Sequence, residues 1–398
     1  MIVDLHVHSR FSMACSKNID FDLLEKYAKI KGVDLLGTSD FQHPKWFEEI
    51  NSKLTEDSNG ILWSKNKFPF LWQTEISLIY TQDGRGRRIH HVILVPNKEV
   101  AVQFKDALGS KGRLDYDGRP IFGFGSIELI DMVKSISNDI EVIPAHCMTP
   151  WFGIFGSKSG FDSVEECFKD KVKHIHAVET GMSADPPMLR RVSKFDKLNL
   201  VSFSDSHSYW PWRLAREATI LDCDLKYKDI LKSIREGNLK TIEVIPDYGK
   251  YHYDGHRACG VSFDPKKTKE LNGICPKCGK PLTIGVEYRI EELADREEPK
   301  LDKEFLELIP LHEIIAVVHG IKQLSSKKVW DVYNRFIQVF NNEFNILINV
   351  NLEDLRKVDE KVADVVVRVR EGKLKIKPGY DGLYGELILS GQKGLGEF

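Results

Sequence analysis

Short apolar runs alternate with amphipathic stretches over residues 1–245, and nearly every run is followed by a His, Asp or Glu. These two observations predict an α/β protein built on a (β/α)7-type barrel. A Cys-x-x-Cys pair at Cys275 and Cys278, with Cys259 upstream, predicts a small zinc-binding module behind the barrel. Apolar faces at helical spacing further on predict an α-rich C-terminal domain. The expected boundaries are 1–245, 246–295 and 296–398.

The length supports this division, because 398 residues exceed what one hydrophobic core usually holds. A hydrophobic share of 42% and a charged share of 29% suit a globular chain in water rather than a disordered one. No apolar run approaches the roughly 18 residues of a membrane helix. Asp4 and His6 leave no room for a signal peptide, so a cytoplasmic location with no membrane partner is expected. Seven cysteines, scattered except near 259–278, do not make a disulfide framework. With a net charge of -2, any phosphate-binding surface has to be a local patch.

The strands read from the sequence span 2–5, 33–38, 70–75, 91–95, 141–145, 176–179 and 200–203, with helical stretches such as 21–31 and 127–135 between them. Seven strands so separated argue for parallel pairing. Beyond the cysteines, 288–293, 311–319, 326–339 and 352–369 read as helices with apolar faces. A tight turn at 379–382 precedes a terminal β segment at 384–389.

Barrels of this type place their chemistry at the C-terminal ends of the strands. His6 and His8 leave the first strand on one face, since side chains alternate. Alone, such a pair reads as surface histidines. The other strand ends change that reading. Asp40, with His43 close behind, follows the second strand, Glu75 ends the third, and His90 and His91 border the fourth. His146 follows the fifth, Glu179 the sixth, and Asp205 with His207 the seventh. Such a set can hold two or three divalent ions, whether Zn, Mg or Mn, with a carboxylate bridging. Neighbouring ions clamp the attacking and leaving oxygens of a displacement at phosphorus, so phosphoester hydrolysis is the expected reaction. Asp40 and His207 are the candidate catalytic groups. Glu179 is a weaker candidate because it can instead hold its own loop in place. Spacing does not separate His90 from His91, although His91 abuts the strand.

In order along the chain, D-x-H-x-H-S, G-T-S-D, T-E, H-H, P-A-H and S-D-S-H resemble the motifs of the PHP (polymerase and histidinol phosphatase) superfamily. The resemblance covers residues 1–245. It implies a distorted barrel in which His6, His8, Glu75, His91, His146, Asp205 and His207 are metal ligands. Two positions depart from the pattern. Phe41 stands where many members carry a histidine, and Ala14 or a neighbour where another stands. Asp40, with His43, is the expected substitute at a third metal position.

The stretch 149–161 directly follows His146 and carries glycines, aromatics, hydroxyls and a lysine. Such a loop suits close approach to a nucleotide and stacking on a base, so Trp151, Phe152, Ser157 and Lys158 are candidate substrate-binding residues. The plainer reading is that its aromatics pack the barrel top. After His207, Arg213 or Arg216 can hold a phosphate, or pair with a carboxylate.

Behind the barrel, His256 precedes Cys259 at the spacing that separates Cys275 from Cys278. His256, Cys259, Cys275 and Cys278 are therefore expected to hold one structural Zn, with His252 the alternative to His256. A thioredoxin-like redox pair is the competing reading. Lys266, Lys267, Lys269, Lys277 and Lys280 surround the site and favour a phosphate backbone, although such a run is often simply solvated.

The order of parts is more particular than the superfamily. A barrel bearing T-P-W-F-G-I-F-G-S-K-S-G-F-D-S, then D-G-H-R-A-C-G, C-P-K-C-G-K-P-L-T-I-G-V and E-E-L-A-D-R, is similar to the endonuclease Q family over nearly the whole chain. That resemblance implies a DNA repair endonuclease cutting 5′ to deaminated bases (uracil, hypoxanthine, xanthine) or abasic sites. Damaged DNA is then the partner, with the lesion flipped into a pocket lined by 151–158. The last residues, Gln392 to Phe398, are similar to a sliding-clamp binding peptide. Two rivals remain: a small-molecule phosphatase of the histidinol-phosphate type, which needs neither zinc module nor helical tail, and a non-catalytic DNA-binding module.

Overall fold

Asp83-Gly84 decides how the barrel wall departs from a parallel one. Both residues have positive φ, 52° and 75°, and they join Gln73–Gln82 to Arg85–Leu94 with Gln82 paired to Arg85. A two-residue Asp-Gly loop turns the chain straight back, so these strands pair antiparallel with no crossover helix. The expected strand at 91–95 is thus the second arm of a long hairpin. Arg85–Leu94 then pairs antiparallel with Glu141–Pro144.

The structure, a computed structural model, describes residues 1–389. The first strand, Ile2–Asp4, lies parallel to Leu35–Gly37, which lies parallel to Pro69–Leu71. On its other side Ile2–Asp4 meets Ala218–Leu221 antiparallel, and Leu239–Val244 follows, also antiparallel. Neither of the last two strands was expected. Ala177–Glu179 and Asn199–Val201 form a parallel pair. The wall is therefore a mixed sheet in segments, the distorted form of the barrel, and not the all-parallel one that alternation suggested.

The C-terminal region begins by extending this wall, because Phe305–Leu308 pairs parallel with Leu239–Val244. The helices Leu311–Val318, Lys327–Phe340, Glu343–Ile348, Leu352–Arg356 and Glu360–Arg370 follow. The expected helix at 352–369 is two, since the Asp359 side chain accepts the Val362 N–H at 3.1 Å and starts a new one. Lys375–Lys377 pairs with Glu386–Ile388. Within this hairpin Asp381 and Gly382, at φ 43° and 88°, make another tight turn, which delivers Tyr384 to the rim of the barrel. Among the described residues, no helix is long and apolar enough to cross a membrane.

Candidate metal centre and cleft

Three of the residues that follow the strands turn through the left-handed region: Ser39 at φ 59°, His146 at 30° and Asp205 at 47°. For residues with a Cβ this strain costs about 1–3 kcal/mol each, and it collects where function requires a particular side-chain direction. Gly181 relieves the crowding behind His146, since a Cβ there would lie 2.7 Å from that residue's own Cβ.

Glu75 joins the donors that these turns bring inward. Its Oε1 lies 2.8 Å from His90 Nδ1, 3.3 Å from His146 Nε2 and 3.5 Å from His6 Nε2, while Oε2 lies 3.2 Å from His8 Nε2. Asp205 Oδ1 is 3.1 Å from His8 Nε2 and 3.5 Å from His6 Nε2. Two groups of donors result, His6, His8, Glu75 and Asp205 in one, Glu75, His90 and His146 in the other. Both fit divalent cations. His6 Nε2 in particular is buried without a hydrogen-bond partner, a donor aimed at a point that only a cation would satisfy.

The surrounding acids fix the imidazoles. Glu179 accepts the Nδ1 proton of His6 at 2.8 Å and the His146 backbone N–H at 2.6 Å. Asp40 accepts the Nδ1 proton of His8 at 3.0 Å. Each contact holds the ring through Nδ1 and turns Nε2 toward the cluster, as the atom that would bind an ion. Burial opposes charge on His8, but Asp40, Asp205 and Glu75 outweigh it and raise the imidazole to about 10. Burial likewise works against Glu75, yet Arg119, His90 and His6 hold its carboxyl well below the usual range. The centre is thus anionic in character and asks for positive charge. Burial, helped by Arg119 and His146 and opposed by Glu75, lowers His90 to about 3, and burial with His8 and Arg119, against Asp205, lowers His207 to about 4, so both are neutral at physiological pH.

Several expected site residues stand elsewhere. His91 points to the opposite face of its strand, where Nε2 lies 2.9 Å from Ser126 Oγ and the ring packs on Phe168. It is His90 that faces Glu75, because adjacent residues on a strand cannot share a face. Asp40 is enclosed, its oxygens taken by His8, the Ser9 N–H at 2.7 Å and Ser12 Oγ at 2.8 Å. It orients His8 and reaches neither group of donors. His43 stands at the start of a helix without capping it, stacks on Phe11 at 4.2 Å and joins neither donor group, so it does not substitute at a third position. His207 keeps Nδ1 on the Asp205 carbonyl at 3.0 Å and lines the cleft, outside both groups.

The cleft over the cluster holds about 380 Å³. Trp151 and Phe152 line it, and Phe152 packs on His90 with ring centres 4.2 Å apart. Ser157 and Lys158 do not. Ser157 donates to the Ile284 carbonyl at 3.1 Å, and Lys158 is exposed outside the lining. The glycines of this loop serve its own folding: a Cβ on Gly153 would meet the Thr149 and Cys147 carbonyls, and one on Gly156 would meet those of Thr149 and Pro150. Arg216 lines the cleft with its guanidinium over Tyr384, its Nε and Nη1 buried and without a partner. Arg213 turns instead into a neighbouring cavity, 4.0 Å from Glu313 and against Tyr384.

Arg119, Lys250, Tyr251 and Tyr384 are among the further lining residues that strand-end reasoning did not find. They come from loops and the C-terminal hairpin, where no periodicity announces a direction. Burial opposes ionisation of Tyr384, but Arg216, Lys250 and Arg213 lower its pKa overall. Glu217 closes the wall, pushed well above the carboxylate range by burial and by Glu243.

In the second module His256, Cys259, Cys275 and Cys278 converge, with their donor atoms within 4.8 Å of one another and His256 Nδ1 3.3 Å from Cys278 Sγ. His252 lies elsewhere, packed near Ser183. The two halves match: Gly260 and Gly279 follow Cys259 and Cys278 at φ 60° and 70°, each turning a knuckle. Burial raises the Cys275 thiol, but the Lys277 and Cys278 N–H groups and His256 bring it down to about 6. One nitrogen and three sulfurs fit zinc. Of the lysines around it, Lys277 donates to the Cys259 carbonyl and Lys267 pairs with Glu270, both at 2.9 Å. The terminal clamp-like stretch, Gln392 to Phe398, lies outside the described residues.

Comparison with known proteins adds to this geometry. A family model described as the MJ0043 C-terminal domain matches residues 310–373. The MJ0043 protein of Methanocaldococcus jannaschii is 35% identical over 257 residues, 62% of this chain, which spans 32% of that protein's length. The lesion-specific endonuclease PfuEndoQ from Pyrococcus furiosus is similar at 31% identity and a TM-score of 0.87, over 98% of this chain and 95% of that one. Endonuclease Q in complex with a 27-mer duplex bearing an abasic lesion at its active site is similar at 30% identity and a TM-score of 0.88, covering 100% of this chain and 99% of that one.

Proposed function

Because the chain belongs to the endonuclease Q family, we propose that it is a metal-dependent DNA repair endonuclease, hydrolysing the phosphodiester 5′ to a deaminated base or an abasic site. The observation that carries the reading is the pair of donor groups sharing Glu75 on the floor of a cleft rimmed by Arg216, Lys250 and Trp151. His6, His8, Glu75 and Asp205 would hold one divalent cation and Glu75, His90 and His146 a second. Such ions, when bound, supply Lewis acidity and bring a water's pKa near neutrality.

The remaining chemistry belongs to the chain. Glu179 and Asp40 keep the imidazoles turned inward, so the donors are set before substrate arrives. Arg216, on the cleft wall beside Tyr384, supplies positive charge for a phosphate. His207, neutral at physiological pH with its Nδ1 proton on a backbone carbonyl, has Nε2 free to accept a proton or a further ligand bond. Trp151, packed at 5.7 Å against Tyr251, offers a face for an extruded base.

Four labelled duplexes carrying deoxyuridine, deoxyinosine, an abasic site or no lesion test the reading, with Mg, Mn or Zn added and the nick mapped. Cutting on the 5′ side of the lesions, with the intact duplex spared and a chelator abolishing the reaction, is expected. If histidinol phosphate is turned over while all four duplexes stay whole, the proposal fails.

A further inference from the structure

The loop that carries Arg119 is fastened to the metal centre from several directions. The Gly118 N–H donates to the Phe11 carbonyl at 3.1 Å, and its carbonyl accepts from the Gln42 side chain. Asp117 accepts the Arg119 N–H at 2.8 Å through one oxygen and the Met13 N–H at 3.2 Å through the other. Gly118 itself presses on the residues that orient His8. A Cβ there would collide with Ser12 and with the Asp40 carboxylate, so only glycine brings the backbone this close.

The result is a guanidinium held at the edge of the donor cluster. Arg119 Nη1 pairs with Glu75 Oε2, the oxygen on the His8 side. Its side chain stays 21% exposed and lines the cleft beside Asp205 and His207. One hydrogen bond to Glu75 uses one of five N–H donors, and among the described residues it has no other side-chain partner. A counterion for Glu75 alone would not require a backbone fastened on every side. Donors fixed in advance where charge develops are what stabilises a transition state.

Resting on the phosphodiesterase reading above, we propose that Arg119 is a catalytic residue: its free N–H groups bind the non-bridging oxygens of the scissile phosphate and stabilise the charge that grows on them. Arg216 and Lys250, farther around the rim, hold flanking parts of the strand.

The test uses the full chain with its metals. Wild type, Arg119→Ala and Arg119→Lys are compared on a lesion duplex and on bis(4-nitrophenyl) phosphate, with bound metal counted by mass spectrometry, duplex Kd measured and folding checked by circular dichroism. In Arg119→Ala, kcat is expected to fall about 10²–10³-fold with metal content and duplex Kd unchanged. Added guanidinium ion restores part of the loss in this variant and does not stimulate wild type. Arg119→Lys recovers little, because an ammonium lacks the planar fork, and it answers for folding should the alanine variant be unstable. Retained kcat in Arg119→Ala overturns the proposal. So does a loss of metal that parallels the loss of rate, which would make Arg119 a positioning residue for Glu75. A wild type that cleaves the diester but no duplex overturns the repair reading while the diester assay still decides Arg119. A wild type inert toward both overturns the two together.

Discussion

His8 presents Nε2 to the donor cluster because Asp40 takes the proton on the ring's other nitrogen. An outer contact of this kind is worth about 10–100-fold in metal affinity or activity. Asp40→Asn, which can offer a donor where an acceptor is needed, is therefore expected to weaken metal binding in the cleft by that factor while His6, held by Glu179, keeps its tautomer. Titration of the metal-free protein with Mn checks it. The neighbouring histidines separate as cleanly. His90→Ala removes a donor from the second group, so one fewer cation should be counted per chain. His91→Ala should leave the count unchanged and lower thermal stability by a few kcal/mol, the cost of truncating a buried ring against Phe168. A set of metal counts in which the two variants behave alike would refute this assignment.

At the scale of elements, the metal centre depends on loops held by their neighbours. Gly118→Ala should displace the loop from Ser12 and Asp40, reducing kcat and lowering stability by about 1–3 kcal/mol, since Gly118 is buried against those two residues and an added methyl overpacks the site. The zinc module is a different case. Its own apolar core is Val261, Cys275 and Leu282, too small to hold it folded. Cys278→Ser is expected to release one zinc per chain and to open 257–280 to protease, with the barrel fragment left intact. Intact protease resistance in the zinc-free variant would show that the module stands without its ion.

Across the whole molecule, the helical region is tied to the barrel by a buried ion pair. Lys31 Nζ lies 2.7 Å from Glu343 Oε1, and Glu343 also accepts from the Leu311 N–H at 3.0 Å and the Tyr333 hydroxyl at 2.8 Å. Lys31→Met leaves a carboxylate unpaired in the interior, and denaturant unfolding should show a loss of about 3–5 kcal/mol. A second buried acid makes stability depend on pH. Burial raises Glu243 from 4.5 to about 8, against hydrogen bonds from Thr241, Ser202 and Thr180. The native state therefore binds this proton more tightly than the unfolded chain. Its contribution is complete below about pH 4.5 and is lost as pH climbs through about 8. Melting temperature should fall across that window in the wild type and fall less in Glu243→Gln, which keeps acceptors for Thr180 and Ser202.

Read alone, the sequence determined the class of site. Polar groups at the ends of apolar runs point the same way because side chains on strands alternate and strands of a barrel share an exit, so His6, His8, Glu75, His146 and Asp205 were legible from spacing. The two Cys-x-x-Cys-like knuckles were legible because zinc coordination constrains local spacing. Tertiary structure alone decided which of two adjacent histidines faces inward, since register depends on pairing with Gln73–Gln82 and no single strand records it. It also decided that Asp40 orients His8, and that Arg119 and Tyr384 reach the cleft. Those side chains come from loops and a distant hairpin, whose direction is set by long-range contacts that a local pattern does not carry.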